Sequence, residues 1–205
     1  PTTPNLHLSM KLKHIACMAA WALPALLAAQ TNVIDFESAT GYKSLGVYDS
    51  WENSPFRADA SGQQRLQGNV AVTANPFKEV DELAGETNVS ENVLGFQRSR
   101  FASNVFGVRV DLSEPFELTT TMKYVHVMMH RPNTGRVMLV GLGKRQEWDN
   151  QSPEVEQFNE LCSTPLMQDK WFDAVFAVKG AGGIDIHSLV IVPDCESPHA
   201  YTADE

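Results

Sequence analysis

Residues 123–144 read KYVHVMMHRPNTGRVMLVGLGK, and their apolar and polar positions begin with the period of two that an extended strand imposes. Val125, Val127 and Met129 fall on one face, and Tyr124, His126, Met128 and His130 on the other. Arg131, Pro132, Asn133, Thr134 and Gly135 then supply a fixed φ, a residue tolerant of left-handed geometry and a glycine, before a second apolar run over residues 136–142. The expectation is a hairpin. One face is aliphatic and must be buried, whereas the other carries groups that hydrogen-bond or stack on a ligand.

Similar short runs recur along the chain. Strands are predicted at 33–36 (VIDF), 46–51 (GVYDSW), 69–74 (NVAVTA), 93–98 (VLGFQR), 105–112 (VFGVRVDL) and 116–119, all ahead of the hairpin. A final pair, 171–178 (WFDAVFAV) and 184–192 (IDIHSLVIV), is joined by residues 179–183. Two stretches, 77–92 and 144–164, are polar and turn-rich and read as long insertions, with 154–161 forming one helical turn or a strand. Many short strands without a sustained helical period predict an all-β sandwich, with a jelly roll as the leading topology. Residues 197–205 are polar and end without a strand, so the last strand of such a sandwich is expected beyond Glu205.

Composition narrows the partners. The 205 residues are 43% hydrophobic and 20% charged, enough for one well-buried core. A formal charge of -9 argues against a nucleic-acid partner, because phosphate binding needs a concentrated basic face. The amino-terminal stretch is not part of the predicted domain. Met10, Lys11, Leu12 and Lys13 make a basic region, 15–27 an apolar one interrupted by Pro24, and Ala28 and Ala29 precede a cleavage point. This is a cleavable signal peptide over 10–29, too short to span a membrane, with 1–9 an extension of the gene start and 30–205 the exported domain. Cys17 lies at the start of the apolar run, where a lipoprotein cysteine would end it, so lipidation is rejected. Secretion to the periplasm, cell surface or medium follows. Cys162 and Cys195 remain, and spacing alone leaves a disulfide and two buried thiols both open.

The phrases IDFES (34–38), WENSPFR (51–57), GFQRSRF (95–101), YVHVMMHRP (124–132), WFDAVFAVKGAGG (171–183) and HSLVIVPDCESPHA (187–200) resemble the exported β-sandwich domains of polysaccharide-degrading Bacteroidetes-type bacteria. Those domains are similar in plan to galactose-binding-like carbohydrate-binding modules. The resemblance covers most of 33–199 and implies a glycan or polysaccharide partner, with a catalytic domain downstream in the same chain. It also implies a structural calcium ion. Many such jelly rolls hold one where an early Phe-Glu pair meets an aspartate of the last strand, and Phe36-Glu37 matches the first half of that site.

Sugar recognition needs flat aromatic faces for pyranose C–H surfaces and planar polar groups for hydroxyl pairs. Tyr48, Trp51, Trp148, Arg98, Arg100, Tyr124, His126 and His130 supply them. Trp51 sits among Asp49, Ser50, Glu52 and Asn53, and Trp148 between Glu147 and Asp149, so neither belongs to a core stripe. Trp171 and Phe172 open an apolar strand, and at least one of them is core. Arg98 and Arg100 flank Ser99, where an extended segment aims both the same way: either a clamp for a uronate carboxylate or two ordinary surface arginines. His126 and His130 are about 13 Å apart along a strand, too far to share one metal.

Catalysis is the weaker reading. A glycoside hydrolase needs two carboxylates facing across a cleft, and Glu154 and Glu156 fall in an expected loop. A polysaccharide lyase would use types such as Arg98, Tyr124, His126 and His130, but no lyase motif matches. A non-catalytic carbohydrate-binding domain is therefore expected, with those enzymes as the alternative and a structural or adhesive sandwich as a third.

Overall fold

Nine strands form among residues 33–48, 70–78, 88–98, 104–146 and 155–196, the parts of the chain described by the computed structural model. They are β1 (Tyr42–Tyr48), β2 (Val70–Ala74), β3 (Asn92–Phe96), β4 (Gly107–Leu118), β5 (Lys123–His130), β6 (Met138–Arg145), β7 (Val155–Leu161), β8 (Trp171–Val178) and β9 (Ile184–Val192). No helix occurs among these residues, and every strand pairing is antiparallel. A five-stranded sheet runs β1-β4-β9-β6-β7, and β2-β3 and β5-β8 form two-stranded ribbons.

The strongest alternation marks the core. In β5, Val125, Val127 and Met129 turn inward, and their β8 partners are the buried Phe172, Ala174 and Phe176. These residues pack on Leu118, Val137, Leu139, Phe158, Ile184 and Ile186 of the large sheet and its approaches, giving two layers around one apolar interior. Burying a side chain such as Phe176 there contributes about 2 kcal/mol. Trp171 and Phe172 are both buried, as at least one was expected to be.

The expected hairpin does not form. β5 pairs with β8, while β6 lies between β7 and β9 in the other sheet, so residues 131–137 cross from one layer to the other. Arg131 explains the crossing. Its guanidinium is buried, with Nη2 donating to Asp194 Oδ1 at 2.7 Å and to Asn133 Oδ1 at 3.0 Å, while Nη1 donates to the Gly135 carbonyl. Its own carbonyl accepts from Asp169 N at 2.7 Å. A buried charge held on several sides fixes the chain in an arch, although Pro132, Asn133 and Gly135 suit a tight turn equally well. The final pair behaves alike: β8 and β9 lie in different sheets, and residues 179–183 cross between them through Gly182 and Gly183 at φ 87 and 68.

Other expectations shift locally. Residues 33–36 are not a strand: Asp35 Oδ1 accepts from Glu37 N at 3.1 Å and Phe36 takes a φ of 58, so the side chain makes a turn where the apolar letters suggested extension. The runs at 105–112 and 116–119 merge into β4, and 155–161 resolve into strand β7. Within the large sheet Ser188 pairs with Leu142 and Ile186 with Gly143, leaving His187 as one extra residue. Such a bulge reverses which face later side chains point to. Ile184 and Ile186 before it, and Leu189 and Ile191 after it, thus join the interior facing β5-β8, while Val190 and Val192 join a second cluster with Val140, Leu142 and Cys195. The expected leader, residues 10–29, and the extension 1–9 lie outside the described residues. No helix of the described residues is long and apolar enough to cross a membrane.

Candidate functional site

Alternation buries one face of β5 and leaves the other to solvent, and this second face gathers Tyr124, His126, Met128 and His130 as the sequence implies. Register sets their neighbours: Tyr124 lies opposite Ala177, His126 opposite Val175, Met128 opposite Asp173 and His130 opposite Trp171. The two ends of the face then differ.

The His130 end is closed. Its ring stacks on Phe77 with centroids 3.7 Å apart and an interplanar angle of 7°, and meets Trp171 edge-on at 5.5 Å. Trp171 Nε1 donates to the Phe77 carbonyl at 2.6 Å. His130, one of the residues expected to touch ligand, helps pin the turn after β2 to this layer.

The Tyr124 end is open. Tyr124 is 62% exposed, Met128 is 42% exposed, and the His126 side chain is also mostly in solvent. His126 Nδ1 lies 2.7 Å from Asp173 Oδ2, a diagonal cross-strand pair. An ionised carboxylate only accepts, so in this pair the imidazole Nδ1–H is the donor. Asp173 was not picked out from the sequence. Its signal was present, as the one charged residue in WFDAVFAV, on the same side as Val175 and Ala177.

Arg98 departs from expectation. Rather than standing on the surface it is 2% exposed, with Nη1 donating to the Phe106 carbonyl and the guanidinium 5.9 Å from the centre of the Phe106 ring. Trp51, Trp148 and Arg100 lie outside the described residues. Tyr48 packs on the second apolar cluster and donates from its hydroxyl to Glu156 Oε1 at 3.0 Å. Glu156 thereby belongs to β7, not to a loop, and its intended companion Glu154 lies outside the described residues.

Glu37 reaches across to the start of β3. Its Oε1 accepts from the backbone N–H of Glu91 and, at 3.1 Å, of Asn92, and its Oε2 accepts from Asn92 Nδ2 at 2.9 Å. These donors, the Asn92 backbone N–H foremost, hold its pKa below the ordinary value of 4.5. Calcium takes six to eight oxygen ligands, so an ion here would have to replace those three N–H donors with oxygens.

A second polar group crosses β1, β4 and β9. Asp111 accepts from Ser188 Oγ at 2.6 Å, from Arg109 Nε and from Ser44 Oγ, and Arg109 Nη2 donates to Ser188 Oγ at 3.0 Å. Burial raises the Asp111 pKa, yet the bonds from Ser188, Ser44 and Arg109 outweigh it and leave the pKa below its ordinary 3.8. These bonds tie three adjacent strands of the large sheet together. Cys162 and Cys195 are free thiols; burial pushes that of Cys195 up, away from nucleophilic character. Comparison with protein families, with curated proteins and with solved structures finds no match to this chain.

Proposed function

We propose that the chain is a non-catalytic glycan-binding domain of an exported protein, built on a jelly roll of the galactose-binding-like kind. Its leader, residues 10–29, is removed on export, and a polysaccharide is its partner. The open end of the β5-β8 face carries this reading: a tyrosine ring 62% exposed on a strand whose other face is core, two residues from a histidine held by a carboxylate. Tyr124 stands exposed among the described residues, and a flat ring beside hydrogen-bonding groups is what a sugar face requires.

Affinity electrophoresis in polysaccharide gels tests the reading. Tyr124→Ala and His126→Ala should each lower retention, with the dissociation constant rising roughly threefold to tenfold, as loss of one stacked ring or one hydrogen bond implies. Trp51→Ala and Trp148→Ala test the two tryptophans expected to stack on ligand. Unchanged retention in all four variants would remove the face and both tryptophans from the site.

The His126-Asp173 hydrogen bond beside Tyr124 favours one second reading, a polysaccharide lyase in which these groups move protons. It forecasts an unsaturated product absorbing in the ultraviolet from a uronate polymer, abolished by Tyr124→Phe. The binding reading forecasts no such absorbance.

A further inference from the structure

Resting on that glycan-binding reading, we infer that the β5-β8 face holds an extended stretch of a linear polysaccharide, several sugar units long, with Phe77 as a second stacking residue at the far end from Tyr124. Phe77 follows β2 and was not among the residues expected to meet ligand. It is 47% exposed, yet it is held in place. Its ring lies parallel to that of His130 at 3.7 Å, and its backbone carbonyl accepts from Trp171 Nε1 at 2.6 Å. A half-exposed aromatic that is already fixed offers stacking area with little left to order on binding.

Spacing then selects the shape of the ligand. His130, against which Phe77 stacks, is six positions from Tyr124 on the same side of β5, about 20 Å along the strand. One sugar ring cannot reach both aromatics. A chain of sugars can, because it repeats its C–H surface along its length. The positions between them are open too: the His126 side chain is 59% exposed, and Met128 also stands in solvent. His126 and Asp173 add hydrogen-bonding groups at mid-span, and the Met128 thioether adds adaptable apolar contact. Contacts that are weak singly gain when one ligand joins them, since after the first ring has stacked the next meets its partner at a raised effective concentration.

Calorimetric titration with di- to hexasaccharides of the cello-, xylo-, manno- and galacturono- series tests the length requirement, beside affinity electrophoresis in the parent polysaccharides. In the series that binds, affinity should rise about tenfold or more from the disaccharide to the hexasaccharide. Phe77→Ala should lower hexasaccharide affinity roughly threefold to tenfold, as loss of one stacked ring implies, and should flatten the rise with length. Because Phe77 also pins the turn after β2, two further variants separate stacking from folding. Phe77→Leu keeps apolar bulk against His130 without a flat ring and should bind like the alanine variant while melting near the wild type. Phe77→Tyr keeps the ring and should bind like the wild type. A disaccharide bound as tightly as the hexasaccharide, or hexasaccharide affinity unchanged in both Phe77→Ala and Phe77→Leu, would overturn the extended site and leave glycan binding standing. Binding to no oligosaccharide, with retention in no polysaccharide gel, would overturn both.

Discussion

Asp111 shows how one side chain reports on the fold. Burial opposes its ionisation, but Ser188, Ser44 and Arg109, drawn from three adjacent strands, outweigh that and depress its folded pKa below 3.8. A carboxylate with a depressed folded pKa contributes stability above its unfolded value and loses it as pH falls through the folded one. Asp111→Asn should therefore cost about 2 kcal/mol at pH 7, measured by urea unfolding, and the difference from wild type should shrink as the pH falls below 3.8 and through the depressed folded pKa. An equal deficit at both ends of that range would mean that shape and not charge matters at this position. Such roles are hard to read from sequence. Arg98 and Arg109 are both arginines in strand-like runs beside serine or valine, and only the tertiary partner, a carbonyl of Phe106 for one and a carboxylate of Asp111 for the other, tells them apart. The face of Tyr124 and His126, by contrast, was legible, because alternation along one strand is a local property.

Strand pairing is where local reading fails. Residues 171–178 and 184–192 were recovered at their full lengths, and the inward set of β5 was correct, yet both neighbouring long pairs cross between layers instead of forming hairpins. Periodicity says that a strand exists and which side is buried; it does not name the partner. Arg131 decides one crossing through Asp194, which lies 63 positions away and is itself 2% exposed. Replacing Asp194 with alanine removes the carboxylate that this buried guanidinium meets at 2.7 Å, so a loss of about 3–5 kcal/mol is expected in chemical denaturation. The pair Arg131→Met with Asp194→Leu should recover much of that loss, because the two desolvation costs disappear together. A single variant with near wild-type stability would show that the arch is held by its backbone alone. Gly143 marks a similar hidden constraint beside the His187 bulge: a Cβ there would run into the Asp185 carbonyl, so the glycine is a matter of space and not of turn-making.

Across the whole sheet, one hydrogen bond carries information on shape. β1 and β7 are its two edges, and four strand spacings of about 4.8 Å would hold them roughly 19 Å apart in a flat sheet. Tyr48 on the first and Glu156 on the second nevertheless meet at 3.0 Å. The sheet must coil until opposite edges approach, a consequence of strand twist increased by the bulge at His187 and by the irregular stretch of β4 between Asp111 and Phe116. Coiling encloses Val140, Leu142, Val190 and Val192, which explains why both faces of the central strands are buried although β5-β8 packs against only one cluster. If the bond ties the edges together, Tyr48→Phe and Glu156→Gln should show a coupling of about 1 kcal/mol in a double-mutant cycle. Amide exchange should also quicken in β1 and β7 while the central β9 stays protected, since edge opening needs no global unfolding. Additive single effects, with exchange unchanged at both edges, would mean that twist alone holds the curvature.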